Sequence, residues 1–227
     1  MRGVPTNSVD IVLCTAHDRQ LAVLLVRDES KRARERWTLP WAPVAARDTL
    51  DHAAARVALR AAGARASWLA QAGAFADGSR HPGGAALSVA YVGVTRPRAL
   101  GPSTGAHWFP AGDLPPMAPR HRAIIDAALA QLRERMDRAP VAFRLLGATF
   151  TLSELQAVYE LLLGRRLHKA SFRRALQGAF LVEPTDEWKS EGRGRPAQLF
   201  RYAPRRQRGG RGGRGGRGGV RFELLGG

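Results

Sequence analysis

The residues best equipped to do chemistry lie in two places, near the middle of the chain and near its C-terminal end. Between Trp41 and Ala64 the carboxylates are Asp48 and Asp51, followed by Arg56 and Arg60 on an Ala-rich stretch. Magnesium at a diphosphate needs several hard carboxylate oxygens in near-octahedral array. Two Asp in an Ala/Arg-rich helix supply too few, so no bound Mg²⁺ and no metal ligands are expected there. Further on, Phe172, Ala175, Leu176 and Ala179 recur at helical spacing and must face a core. Lys169, Arg173, Arg174 and Gln177 are left on the outer side. Arg pairs well with guanine edges and Gln with adenine, which makes this helix the candidate reader of duplex DNA.

These groups need elements to hold them. Val9 to Leu13 and Leu21 to Val26 are apolar runs parted by a polar turn, the pattern of a strand hairpin. Strand-like runs at Trp68 to Phe75 and Ala86 to Val94 flank a polar loop from Ala76 to Gly84, and an amphipathic helix is expected from about Arg120 to Met136. Pro140 suits the first turn of a new helix, and short helices follow. Thr151-Leu152-Ser153-Glu154 has the spacing of a capping box and opens a helix to about Leu163. The candidate DNA helix runs from about Lys169 to Gly178. A hairpin of Phe180 to Pro184 and Gln198 to Tyr202 comes next, its connection Asp186 to Arg195 carrying Lys189, Arg193 and Arg195. Helices followed by a basic hairpin make a winged helix-turn-helix, with the last helix in the major groove and the wing on phosphates.

The chain has 227 residues, 44% of them apolar, enough for one large domain or two small ones. No apolar run approaches the roughly 20 residues of a membrane span, and no secretory signal opens the chain, so a cytoplasmic protein without membrane contact is expected. Cys14, alone in an apolar run, excludes a disulfide framework. A formal charge of +17 favours a polyanionic partner. Residues 1–138 carry 19 basic and 12 acidic side chains, and residues 139–227 carry 17 and 7, so the C-terminal part is the more basic. Arg205 to Gly219 is an Arg-Gly-Gly repeat that cannot bury a core and suits unspecific nucleic-acid contact.

Laid from position 42 to 64, the middle segment resembles a degenerate Nudix box. Arg56 and Gly63 match, Asp48 stands for the first Glu, and the three later glutamates fall on Val57, Arg60 and Ala61, with Ala42 in place of the opening Gly. Trp37-Thr38-Leu39-Pro40 resembles the family's W-x-L-P entry. Phe150-Thr151-Leu152-Ser153-Glu154-Leu155-Gln156, Phe172-Arg173-Arg174 and Gly194 to Arg201 resemble motifs of the Nudix-related transcriptional regulators of NAD metabolism, as do Ser88-Val89-Ala90-Tyr91 and His107-Trp108-Phe109-Pro110.

That resemblance implies an α+β architecture in which an N-terminal Nudix-like α/β/α sandwich with a mixed sheet (1–138) senses effector and dimerises. It implies a winged helix (139–204) that binds DNA; the tail (205–227) lies outside the resemblance and is expected from its composition to be disordered. The resemblance implies a repressor of NAD biosynthesis or salvage genes, a double-stranded operator and a homodimer. ADP-ribose or a related nucleotide is the effector, held by Arg56, Phe75, Arg80 and Tyr91, with no catalytic residues. Lys169, Ser171, Arg173, Arg174, Gln177, Lys189, Arg193 and Arg195 are the expected DNA contacts. The loop from Gly73 to Gly84 departs from the family's pattern, His81 and Gly84 replacing an Asp and an Arg. Two other readings are open: a Nudix pyrophosphohydrolase drawing carboxylates from elsewhere, and an RNA-binding protein led by its tail.

Overall fold

The computed structural model describes residues 7–17, 19–28, 36–96, 105–136, 140–190 and 196–203. Arg193, Arg195 and the tail from 204 onward lie outside them. Two compact units divide between Leu132 and Arg133, inside the last turns of a helix, a few residues ahead of the boundary at Arg138 that the sequence suggests.

The first unit is built on β1 (Asn7–His17) and β2 (Gln20–Arg27), the expected hairpin, joined antiparallel with Cys14 opposite Val23. Short strands β3 (Trp37–Thr38) and β4 (Trp41–Pro43) bracket the W-T-L-P turn, β3 against β2 and β4 against β1. Helix α1 (Leu50–Ala62) follows, and then β5 (Trp68–Phe75), β6 (Leu87–Val94), β7 (Ala106–Pro110) and α2 (Pro119–Arg135). β6 runs parallel to β1 and antiparallel to β5, so the seven-stranded sheet is mixed.

Parity along β1 sorts the two faces of this sheet. Val9, Ile11 and Leu13 join Ala54, Val57, Ala58 and Ala61 of α1 in one apolar cluster. Asp10 and its even-numbered neighbours point the other way, where Asp10 meets His121 of α2. A helix therefore covers each face, the expected sandwich. Thr49 caps α1 by accepting from the His52 N–H, and Gly63 ends it in the left-handed conformation (φ 71°).

The second unit contains α3 (Val141–Arg144), β8 (Thr149–Phe150), α4 (Leu152–Leu163), α5 (Lys169–Ala179), β9 (Val182–Lys189) and β10 (Ala197–Tyr202), with sheet order β8-β10-β9. Pro140 stands at the N-cap of α3, one position ahead of its first turn. Thr151 and Glu154 form the full capping box of α4. Phe143, Phe150, Tyr159, Phe172 and Tyr202 pack in a chain of ring contacts that ties helices to sheet. β9 runs on to Lys189, well past Pro184, where the apolar pattern alone would end it.

Candidate effector site and nucleic-acid interface

The four residues expected to hold effector fall in two groups. Arg56, on α1, donates to Asp48, which also accepts from His52 at 2.7 Å. The Arg56 and His52 hydrogen bonds hold the Asp48 carboxyl below the usual carboxylate range. Tyr91, on β6, donates its hydroxyl to Asp51, and burial together with that carboxylate pushes its pKa up to about 12. Both Asp side chains of the degenerate box thus brace a neighbour. Val57 and Ala61, at two of the positions where the family carries Glu, are buried in the apolar cluster, while Arg60 is exposed. Phe75 ends β5, half-buried, and Arg80 lies in the loop that follows, exposed.

That loop is heavily fastened, and its anchors share no local sequence signal. His81 is buried and its Nε2–H donates to Asp10 at 2.9 Å. Arg120, also buried, donates to the Ala85 carbonyl at 2.6 Å and to Ser79 Oγ at 3.4 Å, with Asp77 at 3.6 Å. Gly84 takes φ 68°, a conformation that favours glycine. Gly83 lies close against Trp41, and a Cβ there would come within 2.0 Å of the ring. Gly83→Ala should therefore push Trp41 out of place and cost about 1–3 kcal/mol, read as a lowered urea midpoint.

Asp10, His81 and His121 are buried and offer their ligand atoms within 4.8 Å of one another, a constellation that invites a metal. The hydrogen bonds argue against one. The Leu39 N–H donates to His121 Nδ1 at 3.1 Å, and the Gly83 N–H donates to His81 Nδ1 at 3.0 Å. Each neutral ring then carries its proton on Nε2, and both Nε2–H groups donate to the same Asp10 oxygen at 2.9 Å. The Ser8 hydroxyl donates to the other oxygen at 2.7 Å. A cation would need the Nε2 lone pairs that these protons occupy.

Burial works to raise the Asp10 pKa, but hydrogen bonds from His121, His81 and Ser8 outweigh it and hold the carboxyl far below its ordinary range. Burial lowers the His121 pKa below 6.5, against the pull of Asp10. For both groups the unfolded chain binds more protons than the folded one at acid pH. Their contribution to stability is thus complete above about pH 6.5 and declines as pH falls, first through the His121 window and then through that of Asp10. Thermal melts of the full chain between about pH 7.5 and pH 4.5 should show the N-terminal unit losing stability first through the His121 window.

In the second unit, α4 fixes the turn that aims α5. Gly164 ends α4 at φ 70°, the Leu167 N–H donates to Glu160 at 2.9 Å, and Gln156 donates to the Leu167 carbonyl at 2.9 Å. On α5, Phe172 and Leu176 are buried, while Lys169, Arg173, Arg174 and Gln177 are exposed together on the outer face. Ser171 is half-buried in the first turn, its hydroxyl 3.2 Å from His168 Nδ1. Lys189 ends β9 and donates to Glu154 of the capping box at 2.6 Å, which ties the wing to α4. Burial would raise the Glu154 pKa, but Lys189 and the Thr151 N–H bring it below the ordinary value.

Residues 142–202 match the family model described as the NrtR DNA-binding winged helix domain. The chain is 30% identical to Shewanella oneidensis NrtR, solved with a 27mer DNA, covering 87% of this chain and 93% of that one with a TM-score of 0.76. This chain belongs to the NrtR family. It is also 28% identical over 207 residues to the ADPR responsive transcriptional repressor NtrR of Acinetobacter baylyi, covering 88% of this chain and 82% of that protein. A MutT/nudix family protein from Enterococcus faecalis shares the fold across 89% of this chain at 20% identity and a TM-score of 0.69. The N-terminal unit is therefore Nudix-like and the C-terminal unit is the winged helix of the NrtR family. Among the described residues no helix is long and apolar enough to cross a membrane.

Proposed function

We propose that this NrtR-family chain is a DNA-binding transcriptional repressor whose Nudix-like unit senses ADP-ribose or a related nucleotide and does not hydrolyse it. The observation that carries the reading is α5, which buries Phe172 and Leu176 and leaves Lys169, Arg173, Arg174 and Gln177 exposed in a unit matching a DNA-binding family model. A relative solved with DNA and another named as an ADPR responsive repressor support the two halves of the reading. Arg56, Phe75, Arg80 and Tyr91 are the proposed effector contacts. Lys169, Ser171, Arg173, Arg174 and Gln177, with Arg193 and Arg195 beyond the described residues, are the proposed DNA contacts. Lys189 belongs with them as a wing residue already engaged by Glu154.

Hydrolysis is disfavoured because Asp48 and Asp51 accept from Arg56, His52 and Tyr91, and apolar side chains occupy two of the later Glu positions. NAD biosynthesis or salvage genes as targets, a homodimer on a two-fold operator and a cytoplasmic location complete the proposal. Titration calorimetry of the full chain with ADP-ribose tests the sensing half. Saturable heat with intact nucleotide recovered supports a sensor, absent heat removes ADP-ribose as effector, and recovered cleavage products return the hydrolase reading.

The tail carries Arg205 and Arg206 and then an Arg-Gly-Gly repeat. Truncation after Pro204 should make the dependence of DNA affinity on salt shallower, by about one unit of log–log slope for each phosphate the tail neutralises, with site preference kept. An unchanged slope in a salt series would show that the tail neutralises no phosphate.

A further inference from the structure

The segment from Ala76 to Ala86 leaves β5 and enters β6, and its centre is pinned through one buried ring. His81 reaches inward to Asp10 while its Nδ1 accepts from the Gly83 N–H at 3.0 Å and the Ala85 N–H at 3.4 Å. The ring thus holds the loop's own backbone on one side and the sheet on the other. His121 does the same for the turn after β3, accepting from Leu39 N–H and donating to the same Asp10 oxygen, with Thr38 Oγ1 2.8 Å from its Nδ1. Asp10, His81 and His121 have side chains with no exposure. Among the described residues, the charged groups facing the rings are Asp10 from β1 and Arg120 from α2. Ser8 and Ser88, linked at 3.1 Å, Thr38 and the Trp41 ring complete the surroundings.

Both rings have one nitrogen open to an added proton, Nδ1, and in both rings main-chain N–H groups already point at it. A proton there would face another donor in a site closed to water, an arrangement that costs the hydrogen bond and the desolvation of a charge. We propose that Asp10, His81 and His121 form a positioning latch for loop 76–86, closed only while both rings are neutral, and that opening it frees the loop and weakens binding of the nucleotide effector. The second clause rests on the sensing reading above, because Phe75 borders the latched segment and Arg80 lies within it; the latch does not depend on it.

Hydrogen exchange of the full chain, read over peptides spanning 77–86 with α4 as the internal reference, tests the latch. After correction for intrinsic rates, wild-type loop amides should exchange about tenfold faster at about pH 5.5 than at about pH 7.5, while α4 does not change. His81→Gln keeps a donor towards Asp10 but loses the Nδ1 acceptor of the Gly83 and Ala85 N–H groups, so its loop should exchange fast at both pH values. A wild-type loop that tracks α4 at both pH values would overturn the latch, as would a folded His81→Gln chain protected like the wild type. Should that variant fail to fold, the wild-type pH pair decides by itself. Calorimetry with ADP-ribose on the same samples separates the two claims. Loss of affinity in step with loop opening supports both, and equal affinity with the loop open overturns the link to effector. A pH-switched loop in a protein that never binds ADP-ribose supports the latch and removes the sensing reading.

Discussion

Replacing Asp10 by alanine is expected to unfold the N-terminal unit at temperatures the wild type survives. The carboxylate is the shared acceptor for His81, His121 and Ser8, all buried. Its removal leaves two ring N–H groups and a hydroxyl without that acceptor, together with a small void. Each orphaned buried donor costs about 1–3 kcal/mol, so a total loss of about 3–5 kcal/mol follows even after partial relaxation. For a marginally stable domain that is a large part of the whole. Urea unfolding, followed by fluorescence of Trp41, Trp37, Trp68 and Trp108, should show a lower midpoint for Asp10→Ala. A midpoint within error of wild type would mean that the triad contributes nothing to the fold. Asp10→Asn keeps the volume and one acceptor and should lie between the two.

The second large effect belongs to α5. Arg173 is exposed, to one side of the face that buries Phe172 and Leu176, so its replacement by alanine leaves the core untouched. An Arg bidentate to a guanine edge supplies about 1–3 kcal/mol of base discrimination. Arg173→Ala should therefore weaken binding to the specific duplex about tenfold to a hundredfold while affinity for a scrambled duplex falls little. A uniform loss on both duplexes would reassign Arg173 to phosphate contact. Gln177 is expected to behave likewise at an adenine, with a smaller effect.

Much of this architecture is legible in the sequence because it is written locally. The i, i+3, i+4 recurrence of Phe172, Leu176 and their neighbours marks α5 and its exposed face, and the Thr151/Glu154 spacing marks the start of α4. The hairpin of β1 and β2 follows from two apolar runs around a polar turn. What stays hidden is long-range. Asp10 sits in an apolar strand and looks like an interruption, yet a charge in a run otherwise wholly buried must have partners. Those partners, His81 and His121, lie 71 and 111 residues away and share no local pattern with it. Strands β3 and β4, of two and three residues, are too short to show any period. β9 reads short in the sequence because Pro184 and the acidic residues that follow break the apolar alternation, which puts Lys189 in a loop; the structure places it at the end of a strand, held by Glu154. The departures in the loop are visible as departures, but the reason for His81 is not. It fastens the segment from within, through a ring that reaches the sheet on one side and the loop's own N–H groups on the other.

The most direct single test is fluorescence anisotropy of the full chain on duplex DNA from the region upstream of its own gene, against a scrambled duplex, at moderate salt, with and without ADP-ribose. Preference for the native duplex, relieved by ADP-ribose, is the expected result for a nucleotide-sensing repressor. Equal binding to both duplexes, indifferent to nucleotide, would contradict it and leave the basic surface as an unspecific nucleic-acid binder.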